Sequence, residues 1–240
     1  MKKNEYQHHI SEQFNRELST VRNHLMDMGG LVEEQVRDAM EALLNGDGSL
    51  ADLVMEREER VNRFDITIEE ECSRILVLRQ PAASDLRMII SISRAVSDLE
   101  RIGDESQRIA RMVHKILRDG KPGQGYLEAE NLSRQVRDML HEALDSFARF
   151  DPARAAEVAA EDEKVDQAYR SAIRSLVTFM MEDPRSISSS LNTIWTLRSL
   201  ERIGDHARNL CEHVIYLVQG QDVRHLSAEE MKKRVRGEES

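Results

Sequence analysis

The sequence predicts an all-α fold of two tandem three-helix bundles related by an internal pseudo-twofold duplication, and three observations carry that expectation. Leu, Ala, Glu, Arg and Met are plentiful while aromatics are only 4% and Pro only 4 residues, a balance that favours helices over strands. Apolar residues recur with the helical period over long stretches. The run Leu99-Glu100-Arg101-Ile102-Gly103-Asp104 returns letter for letter as Leu200-Glu201-Arg202-Ile203-Gly204-Asp205, and chance is a poor account of six identical residues in a row.

The first helix is expected over residues 8–44, where Phe14, Leu18, Val21, Leu25, Met28, Val32, Val36, Met40 and Leu43 form one apolar stripe. Gly29-Gly30 interrupts it, as a kink or as a close helix crossing. The turn Asn45-Gly46-Asp47-Gly48 ends it, and Ser49 with Asp52 suggests a capping box for the second helix, 50–78. Pro81 precedes the third, 83–118. The breaker-rich run Asp119-Gly120-Lys121-Pro122-Gly123-Gln124-Gly125 then reads as a domain linker. A fourth helix is expected over 127–150. Asp151-Pro152 and Asp183-Pro184 each pair an N-cap with a proline at the first helical position, where its missing N–H costs nothing; they start helices at 152–182 and 185–219. The division is a first bundle over 1–120, a linker at 121–125, a second bundle over 126–220 and a polar tail at 221–240.

A net charge of −10 opposes the phosphate-backbone attraction on which most nucleic-acid binding rests. No uncharged apolar run approaches the roughly 20 residues that span a bilayer, and the start lacks the apolar core of a signal peptide. A cytoplasmic protein without direct lipid insertion is expected. Cys72 and Cys211 stand alone, without CxxC spacing, and read as helix residues.

Within each LERIGD run, Glu and Asp four residues apart share a helix face, about 40° apart. Like charges so placed cost about 0.2–0.5 kcal/mol, and doing this twice asks for a cation. A helix upstream, Glu58 with Asn62 and Asp162 with Asp166 stand at the same spacing. If the second and third helices of each bundle lie together, Glu58, Asn62, Glu100 and Asp104 form one oxygen-rich set and Asp162, Asp166, Glu201 and Asp205 another. Such sets suit a divalent cation such as Mg, Mn, Fe or Zn. The bland alternative is that Glu100 and Asp104, off the stripe of Leu99, Ile102, Ser106, Ile109 and Val113, are solvated acids, with Asp104 pairing to Arg108. Glu212 falls on the face of Asp205 and extends the second set. Four carboxylates against three, with neutral Asn62 in the first, predict tighter binding in the second. His206 and His213 read as surface or capping residues rather than ligands. The Glu-x-x-His spacing of di-iron bundles occurs only at Glu5–His8, and no nucleotide cradle or nucleophile motif is present, so no catalytic or cofactor-binding constellation is visible.

The duplicated LERIGD, the Val61-Asn62 and Val165-Asp166 pairs a helix earlier, the opening run 9–18 (HISEQFNREL) with Met26-Asp27-Met28-Gly29-Gly30, the run 79–87 (RQPAASDLR) and the run 220–225 (GQDVRH) together resemble the PhoU family over about residues 6–226. The resemblance implies two three-helix bundles and no enzymatic activity. It also implies a negative regulator of the phosphate-starvation regulon that links a phosphate ABC transporter to a phosphate-responsive sensor histidine kinase. Work at the inner membrane face through protein partners, a homodimer, and metal on the paired acidic motifs belong to the same expectation. Asn62 departs from the family's acidic pattern. The competing reading is a metal-binding helical scaffold without a signalling role.

Overall fold

The computed structural model describes the backbone of residues 2–119 and 125–238 and the side chains of 12–118 and 125–238. Among them, all regular structure is helical: α1 (Lys2–Asn45), α2 (Gly48–Arg79), α3 (Ala83–Asp119), α4 (Tyr126–Arg149), α5 (Pro152–Ala159), α6 (Asp162–Glu182), a 3-10 turn at Pro184–Ser186, α7 (Ile187–Gln219) and α8 (Ala228–Arg236). Helices α1, α2 and α3 pack on one another as one bundle; α4, the α5–α6 pair and α7 pack as the other. The bundles meet along α3 and α7, with α1 against α4 as a second seam.

The α1 stripe is the core of the first bundle, with Val21, Leu25, Met28, Val32 and Val36 all buried. Helix α1 runs unbroken through Gly29-Gly30, and a Cβ at Gly29 would lie 2.8 Å from Leu144 of α4. Gly29 therefore serves the helix crossing, while Gly30 faces open space. Helix α2 is capped by Asp47, whose side chain accepts from Leu50 N at 3.0 Å. The expected capping box of Ser49 and Asp52 is thus two residues too late, because Asp47 reaches the free N–H groups first. Asp151 caps α5 through Ala153 N and Arg154 N, each at 3.0 Å. Asp183 caps the 3-10 turn through Arg185 N at 3.2 Å, and α7 follows directly. Both cysteines are helical, buried and free. Of the expected linker, Gly125 is the N-cap of α4, and residues 121–124 lie outside the described residues.

Two expectations change. The helix expected over 152–182 is two helices: α5 ends at Ala159 and α6 starts at Asp162. Ala160 N–H turns back to Glu157 O and Val158 O, a tightened last turn, made without a proline or glycine. The segment 221–240 contains α8, which packs on α5 and carries the buried Met231. Its signal stands in the sequence: Ser227 and Glu230 make a reciprocal capping box, and the charged residues around Met231 and Val235 conceal a short apolar face.

Candidate functional site

In the first bundle Glu58, only 3% exposed, is carried by α2 against Gly103 of α3. A Cβ at Gly103 would stand 2.8 Å from Glu58 Oε2, 3.3 Å from Val61 and 3.4 Å from Gln35 Oε1. The glycine of the repeated motif thus makes room for the carboxylate. Gln35 of α1 donates to Glu58 Oε2 at 2.8 Å, while Glu58 Oε1 is buried without a hydrogen-bond partner. Burial, with Asp104 and Glu100 nearby, pushes the Glu58 carboxyl up to about 7 against the pull of the Gln35 hydrogen bond. Glu100 is raised by burial, by Asp104 and by Asp65. Glu58, Glu100 and Asp104 are therefore brought together electrostatically. Asn62 is exposed, and Asp65, seven residues after Glu58 and so on the same face of α2, bears on Glu100 instead. That i,i+7 spacing was the signal for Asp65. Asp104 does not take Arg108, which donates to Glu105 at 2.7 Å.

The second bundle repeats the placement with different partners. Buried Asp162 opens α6 and approaches Gly204, whose Cβ would lie 3.9 Å from Asp162 Oδ1 and 3.1 Å from Val165. Val136 stands beside Gly204 where Gln35 stands beside Gly103. Arg208 donates to Asp162 at 3.1 Å and pairs with Glu212 at 3.3 Å. Arg170 holds Asp166 at 2.7 Å and Arg198 holds Glu201 at 2.5 Å. Burial still raises Asp162, Glu201 and Glu212, and Asp205 is raised by desolvation with Asp162 and Asp166 nearby. Glu201 Oε2 is buried without a hydrogen-bond partner. Glu212 joins this set through Arg208. Among the described residues, no three His, Cys, Asp or Glu side chains are grouped so that they could hold a metal ion as they stand.

Sequence reasoning missed a third polar site on the α3–α7 seam. Asp98, 8% exposed, accepts from His206 Nδ1 at 2.8 Å, His213 Nε2 at 2.8 Å and Asn209 Nδ2 at 2.9 Å. Burial alone would raise this carboxyl; the three hydrogen bonds outweigh it and hold Asp98 at about 2. The ionised carboxylate makes both imidazoles donors, which sets the tautomer of each ring. Neither histidine is a surface or capping residue: both are buried. Their i,i+7 spacing put them on one face of α7, but nothing local said that this face meets Asp98.

A family model, the PhoU domain, matches residues 25–113 and again 129–214, so the duplication read from LERIGD is a duplication of a whole domain. The phosphate-specific transport system accessory protein PhoU homolog of Pseudomonas aeruginosa is 57% identical over 228 residues, 95% of this chain and 94% of that protein. The Escherichia coli phosphate-specific transport system accessory protein PhoU is 45% identical over 233 residues, 97% of this chain and 96% of that protein. The crystal structure of PhoU from P. aeruginosa superposes with a TM-score of 0.84 at 57% identity, covering 87% of this chain and 100% of that one. The PhoU structure from Streptococcus pneumoniae gives 0.81 at 31% identity, over 88% of this chain and 99% of that one. Two matched domains, relatives aligned over nearly their whole length and the shared fold show that the chain belongs to the PhoU family.

Proposed function

We propose that this protein regulates phosphate transport, acting as a negative regulator of the phosphate-starvation regulon by linking a phosphate ABC transporter to a phosphate-responsive sensor histidine kinase. The observation that supports this is the match, over nearly the full length of both chains, to relatives named for phosphate-specific transport. Both PhoU domains are present and in order. No described helix is long and apolar enough to cross a membrane, so in this reading the protein meets the transporter through protein surfaces, as a homodimer on the inner face. A deletion strain carrying a phosphatase reporter tests it. Reporter expression and phosphate uptake should both rise in phosphate-rich medium, and unchanged levels would dismiss the regulatory role.

The acidic clusters are proposed as the sites of the divalent cation that the family resemblance implies. The orphaned buried oxygens Glu58 Oε1 and Glu201 Oε2 fit a ligand that brings positive charge. Counting carboxylates favours the second cluster; counting the cations already present favours the first. Arg208, Arg170 and Arg198 neutralise Asp162, Asp166 and Glu201, whereas no ion pair to Glu58, Glu100 or Asp104 occurs among the described residues. A Mg, Mn, Fe or Zn ion held by Glu58, Glu100 and Asp104 would supply the charge that the first bundle lacks.

A further inference from the structure

The α3–α7 seam has two ends, related by the internal duplication. At one end the chain covers itself: Arg94 lies over the Tyr216 ring at 5.2 Å, Arg87 donates to Leu217 O at 3.2 Å, and Ser91 donates to His213 O at 3.2 Å. The position that matches Arg94 in the repeat register of the LERIGD runs is Trp195. It is the one tryptophan of the chain and is 59% exposed. Between α3 and α7 beside it lies an open groove of about 480 Å³, floored by Ile109, Met112 and Trp195. Ile187 and Leu191, also exposed, precede Trp195 at steps of four residues, so the three make one apolar stripe about 12 Å long.

The rim of this groove is basic on an acidic protein. Arg108, Arg111, Arg198 and Arg202 line it with a single carboxylate, Glu105. Glu105 is buried and already shared by Arg108 at 2.7 Å and Arg202 at 3.0 Å. One carboxylate between two guanidiniums cannot satisfy the N–H donors of both; Arg111 donates to the neutral side chain of Gln107 and lowers the Glu58 carboxyl from a distance, and Arg198 pairs with Glu201 at 2.5 Å. An apolar floor with guanidiniums on its edge, continued along α7 from Trp195 by the exposed Leu191 and Ile187, matches an amphipathic helix whose apolar anchors recur at i, i+4 and i+7 and whose flanks are Asp and Glu. We infer that the α3–α7 groove at Trp195 is the docking site for an acidic amphipathic helix of a partner protein. A membrane surface is a worse match, since Ile109 of the floor is buried between the two helices and out of reach of a lipid layer. The inference is independent of the regulatory reading and does not require the partner to be a kinase or a transporter subunit.

The test uses the full chain and three synthetic fluorescein-labelled peptides of about 16 residues, long enough to cover the stripe. One carries Leu and Phe at i, i+4 and i+7 with Glu elsewhere; the second replaces each Glu with Lys; the third has the acidic composition scrambled to remove the stripe. The first peptide should bind saturably, with weakening in salt, and an unlabelled copy should shift Trp195 emission to the blue. Trp195→Ala and, separately, Arg108→Glu with Arg111→Glu should each weaken binding about tenfold or more. Val77→Ala, at an exposed apolar residue of α2, should leave it unchanged. All of these positions are exposed, and circular dichroism with thermal melting confirms that the variants fold. The inference is overturned by any of three results: no saturable binding up to about 1 mM, equal binding of the basic or scrambled peptide, or affinity indifferent to both groove variants. Sedimentation in which Trp195→Ala dissociates an oligomer without changing peptide affinity would also overturn it, by assigning the groove to a second copy of the chain.

Discussion

The two acidic clusters descend from one motif and have reached different solutions to the same electrostatic problem. In each, a carboxylate of the preceding helix is pressed against the glycine of LERIGD, beside the motif's own Glu and Asp. The second bundle answers with arginines: Arg208, Arg170 and Arg198 each hold one carboxylate. The first answers with an amide, Gln35 on Glu58, and burial shifts that carboxyl toward its protonated form. Helix architecture differs in step. Glu58 lies inside the continuous α2, whereas Asp162 opens α6 after the break at 160–161, where the helix N-terminus favours a negative charge. A repeated sequence motif therefore fixes where carboxylates sit but not what neutralises them.

The largest test of this comparison is Arg208→Ala. It strips buried Asp162 and Glu212 of their shared cation, and breaking a buried ion pair costs about 3–5 kcal/mol. With Arg208 itself partly solvated, a loss of about 2–3 kcal/mol in urea unfolding is expected. A loss below about 0.5 kcal/mol, the scale of a surface pair, would mean that the second cluster is not held by its arginine.

Glu58→Gln probes the other solution. The Glu58 carboxyl sits at about 7 in the fold against an ordinary 4.5, so the protonated form is the one the fold favours. Its contribution is full below about pH 4.5 and is lost as pH rises through about 7. Glutamine mimics the protonated form at every pH. The variant should match wild type near pH 4 and exceed it by about 1–2 kcal/mol at pH 8, with a flattened stability profile between. Glu201→Gln should show no such gain, because it gives up the Arg198 pair. Parallel profiles for the Glu58 variant and wild type would show that Glu58 carries no excess charge.

The smallest expected effect separates the clusters by added cation. Manganese at about five times its Kd should raise wild-type stability by about 1 kcal/mol. Glu100→Gln with Asp104→Asn should abolish that gain, and Glu201→Gln with Asp205→Asn should retain most of it. The reverse pattern would restore the ranking by carboxylate number, and a wild type indifferent to Mg, Mn, Fe and Zn would leave both clusters without a metal role.

What the sequence determined by itself is the local and repeated part: helices from the 3.6 period, starts at Asp151-Pro152 and Asp183-Pro184, the duplication from LERIGD, and the choice of Glu58, Asp162 and the motif acids as a group. Periodicity and capping are written within a few residues of the structure they specify, and so are legible. Even some missed features were written there, as with the Ser227–Glu230 box of α8 and the spacing of Asp65 from Glu58. The tertiary structure alone decided the rest. Nothing near Asp98 announces that His206, His213 and Asn209, more than a hundred residues away, will donate to it. Nothing near Glu58 says that Gln35 will reach it while Val136 stands at the matching place in the other bundle. Burial, ion pairing and the open groove at Trp195 depend on which helix faces meet, and a helix face is indifferent to sequence distance: the α3–α7 seam sets the charge of Asp98 and leaves Trp195 open, while contacts inside each bundle give Glu58 an amide and Asp162 a guanidinium.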